Sequence, residues 1–515
     1  MEIDSGVCQG LGVSRHPSVK IIGVNMSLTI TSFSFICFLT LTAFVYYVVP
    51  RNRWIVLLVA SWFYYGYMTK GYMGAMAVST LSFWIGSLIV THNNLIIKES
   101  GKTNEHVRIK YKRVNKAVMA TVIGMNVGLL LFHKFYPGAG LPLAISFYTL
   151  SGISYLVDVS KGDNVEKNIC KFSLILCYFP LVTQGPIVRH KTVKDTLYGD
   201  NKLNLDNILQ GVTLILWGGV KKLVIADRLY HFVDVVFNEY NNYTGAIIPL
   251  AVIGYMIQLY CDFSGGIEII LGCGRLFGVE LPANFRQPYF SASVSEFWRR
   301  WHISLGNWFK DYVYMPLAMS KVNNKAYSIL KKKYGNRIAK LVTTSTITFI
   351  VWLLNGVWHG AGWKYVVFGA YMGVLIAFEN DTKNKTRKEE GKCSAAQLLC
   401  TLRTLLLVAF GWMLIRVNTL ADFPQMILAT FKGNSENLVA TLHTFLNDMD
   451  WAALLYGILL VFTVEFLQQK KEMKERMDQV HPILKIMAGV ILIFTWLILS
   501  YDTGNEVRGF IYAKF

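Results

Sequence analysis

The chain has 515 residues, 53% hydrophobic and only 16% charged, with a formal net charge of +19. A soluble protein carries roughly 25% charged residues, so this composition and a mean hydropathy of +0.38 exclude a large soluble domain. Runs of roughly 17–25 apolar residues, enough for a ~30 Å hydrocarbon core, recur along the chain, and they are continuous rather than alternating, which excludes a β-barrel: the fold class is all-α polytopic membrane protein.

Residues 1–25 are polar and lack the apolar run of a secretory signal. Met26-Ser27-Leu28 opens the first hydrophobic stretch, so translation is expected to start at Met26, with 1–26 a disordered or non-native extension and 27–515 one transmembrane domain. Predicted spans follow at 29–49, 54–69 (short for a full crossing), 74–95, 117–136, 142–158, 171–188, 207–230 and 245–261. The stretch 262–320 is apolar but broken by Gly, Pro and charge, and reads as re-entrant or amphipathic helix, tolerated only under cover of protein or a water cavity. Spans at 341–357, 363–380, 397–416, 450–468 and 482–500 complete the chain.

Loop charge sets orientation. Lys and Arg crowd into 97–116 (Lys98, Arg108, Lys110, Lys112, Arg113), 321–340 (Lys321, Lys325, Lys331, Lys332, Lys333), 381–396 (Lys383, Lys385, Arg387) and 469–481 (Lys470, Lys471, Lys474). All four loops are expected in the cytoplasm, which puts both termini outside. Arg189, His190, Lys191 and Lys194 would then be external, against the rule, unless 171–206 is re-entrant. Basic residues spread over short loops do not make a nucleic-acid surface. The eight cysteines form no CxxC pair and fall mostly in or beside apolar runs, as buried thiols do. There is no internal repeat of the kind that builds many transporters, and no Walker A, HExxH or GxSxG sequence.

Two histidines stand out. His302 closes Ser295-Glu296-Phe297-Trp298-Arg299-Arg300-Trp301-His302, and His359 sits in Asn355-Gly356-Val357-Trp358-His359-Gly360. Ionisable groups at membrane depth are costly and tend to be functional. For the first block the competing reading is an interfacial belt, with Trp at the headgroups and Arg299, Arg300 and Lys310 on lipid phosphates. For His359, a neutral imidazole can take a proton from an attacking hydroxyl. It can equally be a structural histidine at a helix end. Asn355, one turn earlier, could orient the ring or make a packing hydrogen bond. Asp262 is either a salt-bridge partner or part of a site.

These blocks belong to an ordered series. It runs through Leu141-Pro142-Leu143, Gln184-Gly185-Pro186, Trp217-Gly218-Gly219-Val220-Lys221-Lys222, Ile225-Ala226-Asp227-Arg228, Tyr260-Cys261-Asp262-Phe263-Ser264-Gly265, Phe297 to Leu305, Trp308-Phe309-Lys310-Asp311-Tyr312 and Trp358-His359-Gly360. The series, over roughly 27–515, resembles the membrane-bound O-acyltransferase (MBOAT) family, in the bacterial branch of alginate O-acetylation and teichoic-acid D-alanylation proteins. The resemblance implies a ring of about 11–13 transmembrane helices around a central funnel. It implies His359 and His302 as catalytic residues, and Asn355, Trp298, Arg299, Trp301, Trp358, Asp262 and Asp311 as candidates for substrate binding. It implies no tightly bound cofactor. The donor would be an acyl thioester, acetyl-CoA or an acyl carrier protein, on the cytoplasmic side of a bacterial inner membrane. The acceptor would be a cell-envelope polysaccharide, reached with an extracytoplasmic SGNH-type partner. D-alanyl transfer to teichoic acid from a carrier protein is the alternative within the family, and a non-enzymatic transporter or scramblase the alternative outside it. The tail Gly509-Phe510-Ile511-Tyr512-Ala513-Lys514-Phe515 is similar to the C-terminal motif of small peptides that accompany D-alanylation. On that resemblance Tyr512 would carry the acyl group transiently; an interfacial anchor is the competing reading.

Overall fold

A computed structural model describes residues 28–70, 72–101, 104–136, 142–360, 362–386, 395–433, 438–469 and 482–500, and among them there are helices and no strands. In chain order these are α1 (Phe33–Val48), α2 (Trp54–Thr69), α3 (Met73–Glu99), α4 (Glu105–Phe135), α5 (Ile145–Ser160), α6 (Ile169–Cys177), α7 (Leu181–Gln184), α8 (His190–Tyr198) and α9 (Leu205–Asn238). Then come α10 (Ile247–Leu276), α11 (Val294–Arg300), α12 (Ile303–Phe309), α13 (Met315–Ala318), α14 (Lys321–His359), α15 (Trp363–Thr386), α16 (Ala395–Arg416), α17 (Asp422–Thr430), α18 (Leu438–His443), α19 (Asp448–Gln468) and α20 (Pro482–Leu499). Seven of the described helices, α3, α4, α9, α10, α14, α16 and α19, are long and apolar enough to cross a membrane. α1 and α2 are shorter apolar helices, and the first 26 residues and the tail with Tyr512 lie outside the described residues.

Polar pairs fix how the first helices lie. Asn93 Nδ2 donates to Asn115 Oδ1 at 2.8 Å and Asn126 Nδ2 to Ser82 Oγ at 2.9 Å, so α3 and α4 run antiparallel. Gly152 faces Phe83 and Leu156 faces Gly86, so α5 runs parallel to α3 and ends on the side of the basic 98–116 hairpin. The expected span at 171–188 does not cross. α6 stops at Cys177, and Pro180, which lacks an N–H and holds Phe179 away from helical angles, breaks the run before the four residues of α7. Lys191 on α8 returns to Asp158 at 3.5 Å and Asp163 at 3.4 Å at the end of α5. The segment is therefore re-entrant, and its basic residues share a side with the 98–116 hairpin, which removes the misfit with loop charge.

Two expected boundaries move. The break placed at 261 does not occur: α10 runs unbroken from Ile247 to Leu276 through Gly265 and Gly266. These glycines pack rather than terminate. A Cβ on Gly218 would lie 2.3 Å from the Gly265 carbonyl, and one on Gly272 would lie 2.5 Å from the Gly211 carbonyl, so α9 and α10 touch backbone to backbone at two levels. The Lys-rich stretch 321–340 is helix, not loop. α14 has 39 residues, bent at Gly335 (φ 83°), and its length at 1.5 Å per residue exceeds a ~30 Å core, so the lysine-rich first half extends beyond the span. The short helices between Pro288 and Ala318 match the re-entrant expectation for the rest of 262–320.

Candidate active site

The His302 loop is held from both ends. Glu379 of α15 accepts from the Val294 and Ser295 N–H groups at 2.8 Å each, where the exposed backbone donors of a helix start favour a carboxylate. Ser293 Oγ accepts from Glu296 N at 3.1 Å, capping α11. Beyond α11 the backbone of His302 enters the left-handed region (φ 46°, ψ 51°), which costs a non-glycine residue roughly 1–2 kcal/mol. Asn284 offsets that cost. Its carbonyl accepts from Ile303 N at 2.9 Å, and its side-chain Oδ1 accepts from Ser304 N at 3.0 Å and Ser304 Oγ at 2.9 Å. The same oxygen lies 3.2 Å from His302 Nδ1. Because a backbone N–H only donates, that Asn284 atom is an acceptor, so Nδ1 carries the hydrogen and Nε2 is the basic nitrogen of His302. Ser304 Oγ in turn accepts from Ile187 N at 3.1 Å, tying the loop to the re-entrant segment.

His359 ends α14. Its position depends on close packing with α15: a Cβ on Gly356 would meet the Tyr365 carbonyl at 2.2 Å, and one on Gly369 the Trp352 carbonyl at 2.4 Å. The His359 ring lies 4.9 Å from Trp358 and edge-on to Phe368 at 6.2 Å. The His302 ring lies 6.2 Å from the same Trp358 and edge-on to Phe263 at 5.0 Å. The two imidazoles thus meet on one indole. Both are buried, His302 at 2% and His359 at 6% exposure. Trp358 packs against two hydrophobic clusters among the described residues, one built on α1–α6 and one on α9, α10 and α16. Lys134 of α4 donates to its carbonyl and sits 5.5 Å from its ring centre.

An aromatic group surrounds the pair. Trp298 lies 4.7 Å from Trp352, 5.6 Å from Trp412 and 6.2 Å from Phe368, and Phe368 stacks on Trp412 at 5.8 Å. Trp301 lies 5.1 Å from Trp412 and stacks on Phe297 at 5.5 Å. Within this group the indole N–H atoms of Trp298, Trp358 and Trp412 and the Oδ1 of Asn355 are buried without a hydrogen-bond partner among the described residues. Such a buried polar atom typically costs about 1–3 kcal/mol; a concentration of them marks a place where a ligand supplies the missing partners.

Three expected site residues fall elsewhere. Asp262 is buried in an ion pair with Lys222 at 2.7 Å, which also meets Asp227 at 2.8 Å. Its neighbour Phe263 meets the His302 ring. Asp311 pairs with Arg189 at 2.7 Å in a partly exposed cluster with Tyr312 and Asp158. Burial in that region pushes the His190 imidazole below its usual value. Arg299 is exposed, whereas Arg300 pairs with Glu296 at 2.5 Å. Conversely, Asn284, Ser304, Lys134 and Glu379 build the centre and were not anticipated. The only signal for Asn284 was a polar residue amid Pro282-Ala283-Asn284-Phe285, too plain to single out.

A model of the membrane-bound O-acyltransferase family matches residues 168–330, a stretch that holds Asn284 and His302. The protein named "Probable alginate O-acetylase AlgI" from Pseudomonas syringae pv. tomato is 30% identical over 440 residues, 82% of this chain and 79% of that protein. This chain belongs to the membrane-bound O-acyltransferase family. The peptidoglycan O-acetyltransferase of Helicobacter pylori is 30% identical over 54% of this chain and 55% of its own length. The teichoic acid D-alanyltransferase of Streptococcus thermophilus is 30% identical over 48% and 60%. The protein is thus a multi-pass membrane acyltransferase, and the transporter reading falls.

Proposed function

We propose that this acyltransferase moves an acetyl group from a cytoplasmic thioester donor to a hydroxyl outside the bacterial inner membrane, for O-acetylation of an envelope polysaccharide. The observation that carries the site is the meeting of His302 and His359 on Trp358. His359 is the general base: it takes the proton of the attacking hydroxyl, or it positions the thioester carbonyl. His302, with Nδ1 tied to Asn284, presents Nε2 to donor or acceptor. Asn355, Trp298, Trp301 and Trp358 line the centre and contact substrate. The acetyl group leaves the membrane through an extracytoplasmic SGNH-type partner, and both termini of the chain face outward. Support for acetyl over D-alanyl is the longer reach of the match to proteins named as O-acetylases.

The test is ester analysis of envelope polymers in a deletion strain, complemented with the natural gene or with His359→Ala. The natural gene should restore acetyl esters, and the variant should not, at equal membrane protein levels. Restoration of D-alanyl esters would move the reading to the teichoic-acid branch. Full acetylation by the variant would overturn the role of His359.

A further inference from the structure

Four indole N–H groups elsewhere among the described residues find an oxygen. Trp62 donates to Ser173 Oγ at 2.9 Å, Trp84 to the Glu166 carbonyl at 3.1 Å, Trp308 to the Leu150 carbonyl at 2.9 Å and Trp451 to the Leu442 carbonyl at 3.3 Å. Trp298, Trp358 and Trp412 differ: among the described residues each N–H is buried and none has an acceptor. All three lie in the aromatic group around the two imidazoles, and an indole N–H can only donate. A set of donors lacking acceptors calls for a ligand atom rich in lone pairs. A carbonyl oxygen about to become an oxyanion is such an atom, and fixed donors in a dry site are what stabilise it. Of the three, only the Trp358 ring contacts both His302 and His359.

We propose that the Trp358 indole N–H is the oxyanion donor of acyl transfer. The inference rests on the reading of His359 as base and adds an oxyanion donor to it. The acceptor hydroxyl oxygen forms a bond to the thioester carbonyl carbon, and its proton passes to the His359 imidazole. The carbonyl π pair moves onto oxygen, which accepts the Trp358 N–H. When that pair re-forms the carbonyl, the C–S bond breaks, and the leaving thiolate takes the proton from the imidazolium. Lys134 donates to the Trp358 carbonyl and its ammonium lies 5.5 Å from the centre of the Trp358 ring.

The decisive variant replaces Trp358 with 3-benzothienylalanine, which keeps the ring's size and swaps N–H for sulfur; Trp358→Phe is the simpler companion. The readout is the rate of ester incorporation into envelope polysaccharide per molecule of membrane protein, in the complemented deletion strain. Loss of one oxyanion donor lowers rates about 10²–10³-fold, and both variants should show it. The same replacement at Trp451, whose N–H holds the Leu442 carbonyl of α18, should leave the rate unchanged. A wild-type rate with benzothienylalanine at 358 overturns the proposal. If His359→Ala is inactive in that experiment, only the oxyanion role falls; if His359→Ala is active as well, the base assignment falls with it.

Discussion

Two buried polar regions of this protein are built on opposite principles. In the Lys221–Lys222 region, at the π-helical turn of α9, each ammonium is held by two carboxylates: Lys221 by Glu268 and Glu465 at 2.9 Å each, Lys222 by Asp262 at 2.7 Å and Asp227 at 2.8 Å. Tyr260 adds a 2.5 Å bond to Glu465, so the cluster ties α19 to α9 and α10. Around His302 and His359 the indole N–H groups of Trp298, Trp358 and Trp412 instead have no acceptor among the described residues. A region whose cations are all occupied has no reason to admit a ligand, whereas one with unfilled donors gains from it. The difference is one of kind: ion pairs tie helices together in the first region, whereas indole donors with no acceptor among the described residues gather around the two imidazoles in the second.

The comparison can be broken by substitution. The largest effect is expected at the imidazoles: general-base work is worth about 10²–10⁴-fold, so His302→Ala or His359→Ala should cut transfer by about that range with thermal stability intact. Next, Lys222→Met should act on folding rather than chemistry. Leaving buried carboxylates without their cation costs about 3–5 kcal/mol, read as a lowered unfolding midpoint in detergent, and Lys222→Met with Asp262→Asn should recover part of it. If Lys222→Met kept full stability and lost only transfer, the division between the regions would fail. Gly218→Ala drives a methyl toward the Gly265 carbonyl, and overpacking of this kind costs about 1–3 kcal/mol. Asn284→Ala should lower transfer roughly tenfold, about 1.4 kcal/mol in the barrier, because His302 loses its tautomer-fixing partner; its unfolding midpoint should fall less than that of Lys222→Met. The smallest effect belongs to Asp311→Asn. Its pair with Arg189 is partly exposed, 34% for the Asp311 side chain, where such pairs contribute about 0–1 kcal/mol, so transfer should stay at the wild-type rate.

The sequence was most legible where apolar runs are long, as in α3, α4, α16 and α19, and where Trp and Gly crowd a histidine. It misled at glycine. Gly265 and Gly266 read as a break, yet in a helix pair the missing side chain serves contact with Gly218, a partner 47 residues away in the chain that no local pattern reveals. Asp262 and Asp311 stood in the right motifs, but a carboxylate in a motif does not disclose whether a lysine or arginine already holds it. Asn284 and Lys134 were missed for the converse reason. Their roles come from reaching across the fold to His302 and Trp358, and neither stands in a distinctive stretch of sequence.

The central claim is that His302 and His359 form one reactive centre across Trp358. A double-mutant cycle on ester transfer tests it directly. Residues that act as a unit lose their effects together, so His302→Ala combined with His359→Ala should be no slower than the slower single variant. Losses that multiply, or a single variant with the wild-type rate, would contradict it.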